Sequence, residues 1–362
     1  MNRPSEVVLV PLVGPFHTRF PRYNAVRVRE VVKAAGVEAL AVAALPPGAL
    51  ADPGWQGTHE VALPLSVVPW AVRRGVPVHT VGSFPGLPGE PGEADDERDF
   101  VAYLERFEAG AQRVRRVRGM QAPLEELLRA PLDLNRILAE LLPAIDAHQA
   151  NRAAEFGEGP GTGWLAARSV VVAERVAALP YRRVALLAGV DDLPELRRAL
   201  ATLTAPPRLE YPDTTLTAES GDEERTRSLL DVAMRGDTND PEALLGALRA
   251  VDAPEARYHE ANLILEHGET GDALAVLELA LRSDFAQPYY LPGFLLARIG
   301  QVYDLVGDRQ AALRSYRGVL ALDYAPAEAV EAATAGIGAP FGAAEPAQRA
   351  EDRHGEGGAD AR

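Results

Sequence analysis

The chain has 362 residues and a formal net charge of −15, with 37 basic against 52 acidic side chains. That balance opposes a nucleic-acid role, which needs a basic footprint, and opposes adsorption to an anionic membrane. There is no cysteine, which excludes disulfides, thiolate metal sites and a cysteine nucleophile.

Hydrophobic residues make up 47% and charged residues 25%, the balance of a globular protein with room for two or three domains. The apolar run near the N-terminus is too short for a signal peptide. No run approaches the roughly 20 residues of a membrane span. The expected location is cytoplasmic.

Glu6 to Leu12 reads as a strand apolar on both faces, the kind buried in a parallel sheet. It breaks at Gly14-Pro15 and delivers Phe16-His17 before a helix that Asn24 can cap. Val28, Val31, Val32 and Ala35 recur at helical spacing, and Gly36 ends the run. Val37 to Leu45 is a second strand, Leu65 to Arg74 a helix closed by Gly75, and Val76 to Val81 a third strand. Strands alternating with helices imply right-handed crossovers and a parallel sheet.

Gly82 to Glu97 is a Gly-, Pro- and acid-rich loop. A helical insertion follows over about residues 97–160, ending in the glycine-rich stretch Gly157 to Gly163. Trp164 to Leu179 is a helix, Arg183 to Leu187 a fourth strand, Leu193 to Leu203 a helix and Pro207 to Tyr211 an edge strand. The α/β domain thus covers residues 1–212. A polar linker takes 213–225, a helical region 226–342, and a polar, Gly- and Ala-rich stretch, 343–362, reads as a disordered tail.

The helical region echoes itself. Ala261-x-x-Ile264-x-x-x-Gly268-x(4)-Ala273-Leu274 matches Gly300-x-x-Tyr303-x-x-x-Gly307-x(4)-Ala312-Leu313, with Pro326 after the second copy. This pattern resembles the tetratricopeptide repeat: small residues where two helices touch, and a Gly at the turn. The resemblance implies an all-α domain offering a surface to a protein or peptide partner. The alternative is a packing or dimerisation module.

In the N-terminal half, Gly14-Pro15-Phe16-His17 resembles the Gly-x-x-His after the first strand of the TraB/Tiki and ChaN/erythromycin-esterase-like superfamily. Trp164 to Leu200 resembles that group's closing helix, strand and helix. The resemblance implies that His17, Arg168 and Asp192 share one crevice. They would serve as acid–base groups, or His17, Asp191 and Asp192 would serve as ligands to a divalent metal. The departures are as informative. Ser169 replaces an asparagine, Asp192 replaces a second histidine, and the acidic residue expected at the end of the second strand falls at Ala43 or Ala44. His17 and Asp192 alone are one ligand short of a catalytic zinc site. A scaffold with an inactive, hydrolase-like domain is therefore favoured over a metal-dependent hydrolase. A small-ligand or haem binder is a third reading, since ChaN-like proteins include haem binders.

If Asp192 lies beside His17, it should raise the imidazole pKa above the usual value of about 6.5. Arg19 and Arg22 are expected to converge on the same rim. Asp191-Asp192 has a second reading as a helix N-cap. His79 reads as core packing. His148 and the run Arg113, Arg115, Arg116 and Arg118 read as solvated helix faces. No P-loop, dinucleotide fingerprint or Gly-x-Ser-x-Gly elbow is present.

Overall fold

The computed structural model describes residues 3–91, 96–157, 163–217, 221–283 and 288–342. The expected tail, 343–362, and positions 158–162 of the glycine-rich stretch lie outside them. The chain divides into two compact units, residues 1–247 and 248–362.

The first unit is built on a parallel sheet, five-stranded among the described residues, in the order β3-β2-β4-β1-β5. The strands are β1 (Glu6–Leu12), β2 (Ala39–Val42), β3 (Val78–Thr80), β4 (Arg183–Gly189) and β5 (Arg208–Glu210). β1 and β4 pair along their full length, from Glu6↔Arg183 to Leu12↔Gly189. Both run apolar and buried, as strands covered on both faces must. β5 pairs with β1 as the edge strand anticipated near Pro207.

Helix α1 (Ala25–Ala34) follows β1, with the Asn24 side chain accepting the Arg27 N–H at its N-terminus. A π-helical turn, Leu63–Val67, runs into α2 (Val68–Arg74), so the helix expected from Leu65 starts earlier and begins wider than an α-helix. The insertion holds α3 (Asp96–Leu104), α4 (Glu108–Gly119), α5 (Ala122–Arg129), α6 (Leu134–Arg136), a second π turn (Ile137–Leu141) and α7 (Leu142–Phe156). α8 (Trp164–Ala177) leads into β4, and α9 (Leu193–Ala201) leads from β4 to β5.

The chain leaves β1 towards β2 and β3, but leaves β4 in the opposite direction towards β5. With right-handed crossovers, α1 and α2 cover one face and α8 and α9 the other. β1 and β4 therefore flank the point where the winding reverses. Ligands bind at such a point in open α/β sheets.

The first unit continues past the expected boundary at 212. α10 (Asp222–Arg235) begins inside the stretch read as a linker and packs on α1. Arg27, buried on α1, makes two contacts to the Glu224 carboxylate, at 2.9 and 2.7 Å. Arg29 pairs with Glu223, and the Asn24 amide donates to the Glu224 carbonyl at 3.0 Å. Charged residues that read as solvated linker are the seam that holds α10. α11 (Pro241–Arg249) crosses the boundary between the units.

The second unit holds α12 (Pro254–Glu266), α13 (Thr270–Leu281), α14 (Leu291–Leu305), α15 (Arg309–Leu320) and α16 (Ala327–Gly338). The sequence echo is repeated in backbone geometry. Gly268 and Gly307 both take positive φ, 82° and 84°. The residue after each donates its N–H five residues back, Glu269 to Ile264 and Asp308 to Tyr303. That is the Schellman closure of a helix C-terminus, and its αL position favours Gly. Between α14, α15 and α16, the buried ring of Tyr316 fills the space that Gly300 and Gly336 leave open. A Cβ at Gly300 would meet the ring at 2.5 Å. Among the described residues, no helix is long and apolar enough to cross a membrane.

Candidate functional site

The expected rim forms where β1 and β4 end side by side, and the Val190 N–H donates to the Leu12 carbonyl at 2.8 Å. Its occupants differ from the expected ones.

His17 does not face a crevice. It sits in a 3₁₀ turn, Gly14–Thr18, and is fully buried. The Val13 N–H points at Nε2, 3.1 Å away. An N–H can only donate, so Nε2 is the acceptor and Nδ1 carries the proton. Nδ1–H donates in turn to the Tyr23 carbonyl at 2.7 Å. Both ring nitrogens are thus used within the chain. The neutral imidazole has no free lone pair for a divalent metal or haem iron, so the residues present do not fit such a group. The expectation of a raised pKa is also reversed. Burial pushes His17 down to about 4, against a smaller upward pull from the Tyr23 carbonyl.

Asp192 pairs with Arg168, Nη2 to Oδ2, at 2.9 Å. The guanidinium also lies against the Phe84 and Trp164 rings, at 5.4 and 5.1 Å from their centroids. Arg168 and Asp192 therefore meet, as the resemblance implies, but they form a packed ion pair with His17 held elsewhere. Asp192 stands at the N-cap position of α9 without a side-chain cap bond. Asp191 is exposed by surface area, yet crowding around its carboxyl raises its pKa, partly offset by His148. Among the described residues, no group of three or more His, Cys, Asp or Glu is placed to hold a metal ion. The set His17, Asp191 and Asp192 is thus not assembled as metal ligands.

The remaining candidates lie apart. Arg19 and Arg22 are both exposed, and Arg19 lies over the Phe16 ring, 5.9 Å from its centroid. His79 is half-buried against Tyr181, with Nε2 3.2 Å from the hydroxyl. His148, read as solvated, is half-buried, and its Nδ1 has no hydrogen-bond partner. Arg115, Arg116 and Arg118 pair with Glu108, Glu155 and Glu105 on an exposed face.

The residue that sequence reasoning missed is Glu60. It comes from the loop after β2, well past the strand end where an acid was sought. The Gly14 N–H donates to its Oε2 at 2.9 Å. Its Oε1 lies 3.3 Å from where a Cβ on Gly189 would stand. Glu60 thus spans the β1 and β4 loops, and Gly14 (φ 57°) lets the neighbouring His59 approach: a Cβ there would meet the His59 ring at 3.0 Å. Burial first, then repulsion from Asp192 and Asp191, push the Glu60 carboxyl up to about 7 against the Gly14 bond. Below that pH it is an acid, and above it a base.

A cavity of about 150 Å³ opens beside it, floored by Gly14, Glu60 and Asp191 and walled by Leu124, Leu128 and Ile145. α5 and α7 supply that wall, so the inserted helices build the ceiling of the rim. A local signal existed: His59-Glu60 is a polar pair placed directly before the apolar run Val61-Ala62-Leu63. No family model, curated protein or solved structure matches the chain.

Proposed function

We propose that the chain is a binding or scaffold protein. Its tetratricopeptide-like helical unit takes an extended peptide segment of a protein partner, and its α/β unit has lost the metal-dependent hydrolase chemistry of the superfamily it resembles. A groove within the second unit carries the first half of this reading. It is lined by Asn262, Leu265, Arg298, Gln301, Leu305 and Phe341 and has a volume of about 400 Å³. Asn262 Oδ1 and Arg298 Nε are shielded there without hydrogen-bond partners. Such atoms cost about 1–3 kcal/mol each when left unmade. An extended backbone offers the matching N–H and C=O. Leu305 and Phe341, both exposed, offer apolar contact to its side chains.

The saturation of both His17 nitrogens supports the second half. It removes the residue on which a metal or acid–base mechanism of the resembled kind depends.

Selecting displayed random peptides on the full chain tests the binding. The wild type should enrich a common motif, and Asn262→Leu/Arg298→Leu should not. Enrichment of the same motif by the double variant would overturn the groove assignment. Metal analysis of the purified protein tests the lost chemistry. Zinc or manganese near one per chain would favour the metal-dependent hydrolase.

A further inference from the structure

The cavity at the β1–β4 rim combines features that the scaffold reading does not use. Its walls are aliphatic: Leu124, Leu128, Leu141 and Ile145. Its floor is acidic. Glu60 and Asp191 line it, and Asp192 approaches Gly189 from beside Glu60. Of the cations near this rim, Arg168 is committed to Asp192 and lies against Phe84 and Trp164, and Arg19 lies over the Phe16 ring. Glu60 has no ion-pair partner among the described residues, and its one fixed donor is the Gly14 N–H. A shielded carboxylate without a cation is costly, and a cation of the right shape relieves that cost.

A metal does not suit the place, because no third donor converges there and the walls are apolar. The volume of about 150 Å³ matches an engineered apolar cavity that admits a single benzene ring.

We propose that this cavity binds a small organic cation: an amine whose apolar body, about one ring in size, packs under α5 and α7 while its ammonium meets Glu60. Asp191 adds a second negative charge to the lining, which the exposed His59 also joins. With Glu60 ionised, the three carboxylates outweigh Arg168 and Arg19 and leave the rim net negative, which favours a cation over an anion or a neutral molecule. This inference does not rest on the peptide groove of the second unit.

Glu60 must be ionised to receive the ammonium. The groups that face it are the Gly14 N–H, His59, Asp191, Asp192 with its partner Arg168, and the Tyr23 hydroxyl beneath. With its carboxyl at about 7, affinity for the amine should fall about tenfold between pH 8 and pH 6.

Isothermal titration of the full chain with benzylamine, and with benzyl alcohol as the neutral isostere, tests this. At pH 8 benzylamine should bind at least about tenfold tighter than the alcohol, the ratio of a single well-placed charge contact. Glu60→Gln should bring the two together. Leu128→Trp, which fills the cavity and leaves Glu60 in place, should abolish both. Equal affinity for amine and alcohol, no saturable amine binding at about 10 mM, or amine binding indifferent to both substitutions would each overturn the proposal.

Discussion

His17 and Glu60 make opposite demands on pH, and each should unmask the other. His17 is held neutral, with its pKa lowered from 6.5 to about 4. Its contribution is fully present above 6.5 and is lost as the pH falls from there towards 4. Glu60 is held protonated, with its pKa raised from 4.5 to about 7. Its contribution is fully present below 4.5 and is lost as the pH rises towards 7. Each displacement is worth about 3 kcal/mol at 1.36 kcal/mol per pH unit. Solvent reaches part of Glu60, which cuts its share to about 1–2 kcal/mol. Between pH 4.5 and 6.5 the two slopes oppose, so these groups leave the wild-type profile shallow. Glu60→Gln keeps an acceptor for Gly14 but no longer titrates. That variant should lose about 3 kcal/mol as the pH falls from 6.5 to 4. His17→Gln can still donate to Tyr23 and accept from Val13. It should instead weaken by about 1–2 kcal/mol as the pH rises from 4.5 to 7. Urea titrations followed by tryptophan fluorescence provide the measurement, because Trp55, Trp70 and Trp164 all belong to the first unit. If both variants reproduce the wild-type profile, neither group is held as described.

Three further outcomes are expected. Glu224→Ala strips the buried Arg27 of its bidentate carboxylate and should cost the first unit about 3–5 kcal/mol. Arg27→Met/Glu224→Leu should recover most of that, and a single-variant loss below about 1 kcal/mol would mean the α1–α10 seam is solvated. Gly300→Ala drives a Cβ into the Tyr316 ring, whose hydroxyl is tied to Asp304 at 2.9 Å. It should cost about 1–3 kcal/mol, visible in circular-dichroism melts and silent in tryptophan fluorescence. Arg168→Ala removes a half-buried ion pair and the cation over Trp164. A loss of about 1–3 kcal/mol with a changed Trp164 emission is expected, and an unchanged spectrum would contradict the stacking.

The parts of the fold that were legible are those written in local pattern. β1 and β4 announce themselves as unbroken apolar runs, because a strand covered on both faces has no polar position to spare. The paired hairpin turns follow from Gly268 and Gly307, since the αL residue that closes a helix is best filled by glycine. The α10 seam was not legible. Arg27, Arg29 and Glu224 have the composition of a solvated surface, and their burial depends on partners almost two hundred positions away, the exposed Glu223 among them. A charge pattern read in one dimension assigns such residues to water, because isolated charges rarely pay for burial.

The site failed to be legible for a different reason. Gly-x-x-His after a strand names the residues that reach the rim, but not the turn they adopt there. In this chain Gly14 enters a 3₁₀ turn that folds the imidazole back onto Val13 and Tyr23, and the Gly14 N–H is left facing outward. A carboxylate is the natural partner for that N–H, and Glu60 reaches it from the long loop after β2. Its other oxygen lies by Gly189, where a larger residue would crowd it. The motif's glycines thus set the geometry of the rim, while its titrating group passes from the histidine to a glutamate outside the motif. Any chemistry or binding at this rim must therefore be sought at Glu60, with the inserted α5 and α7 setting the shape of what it meets.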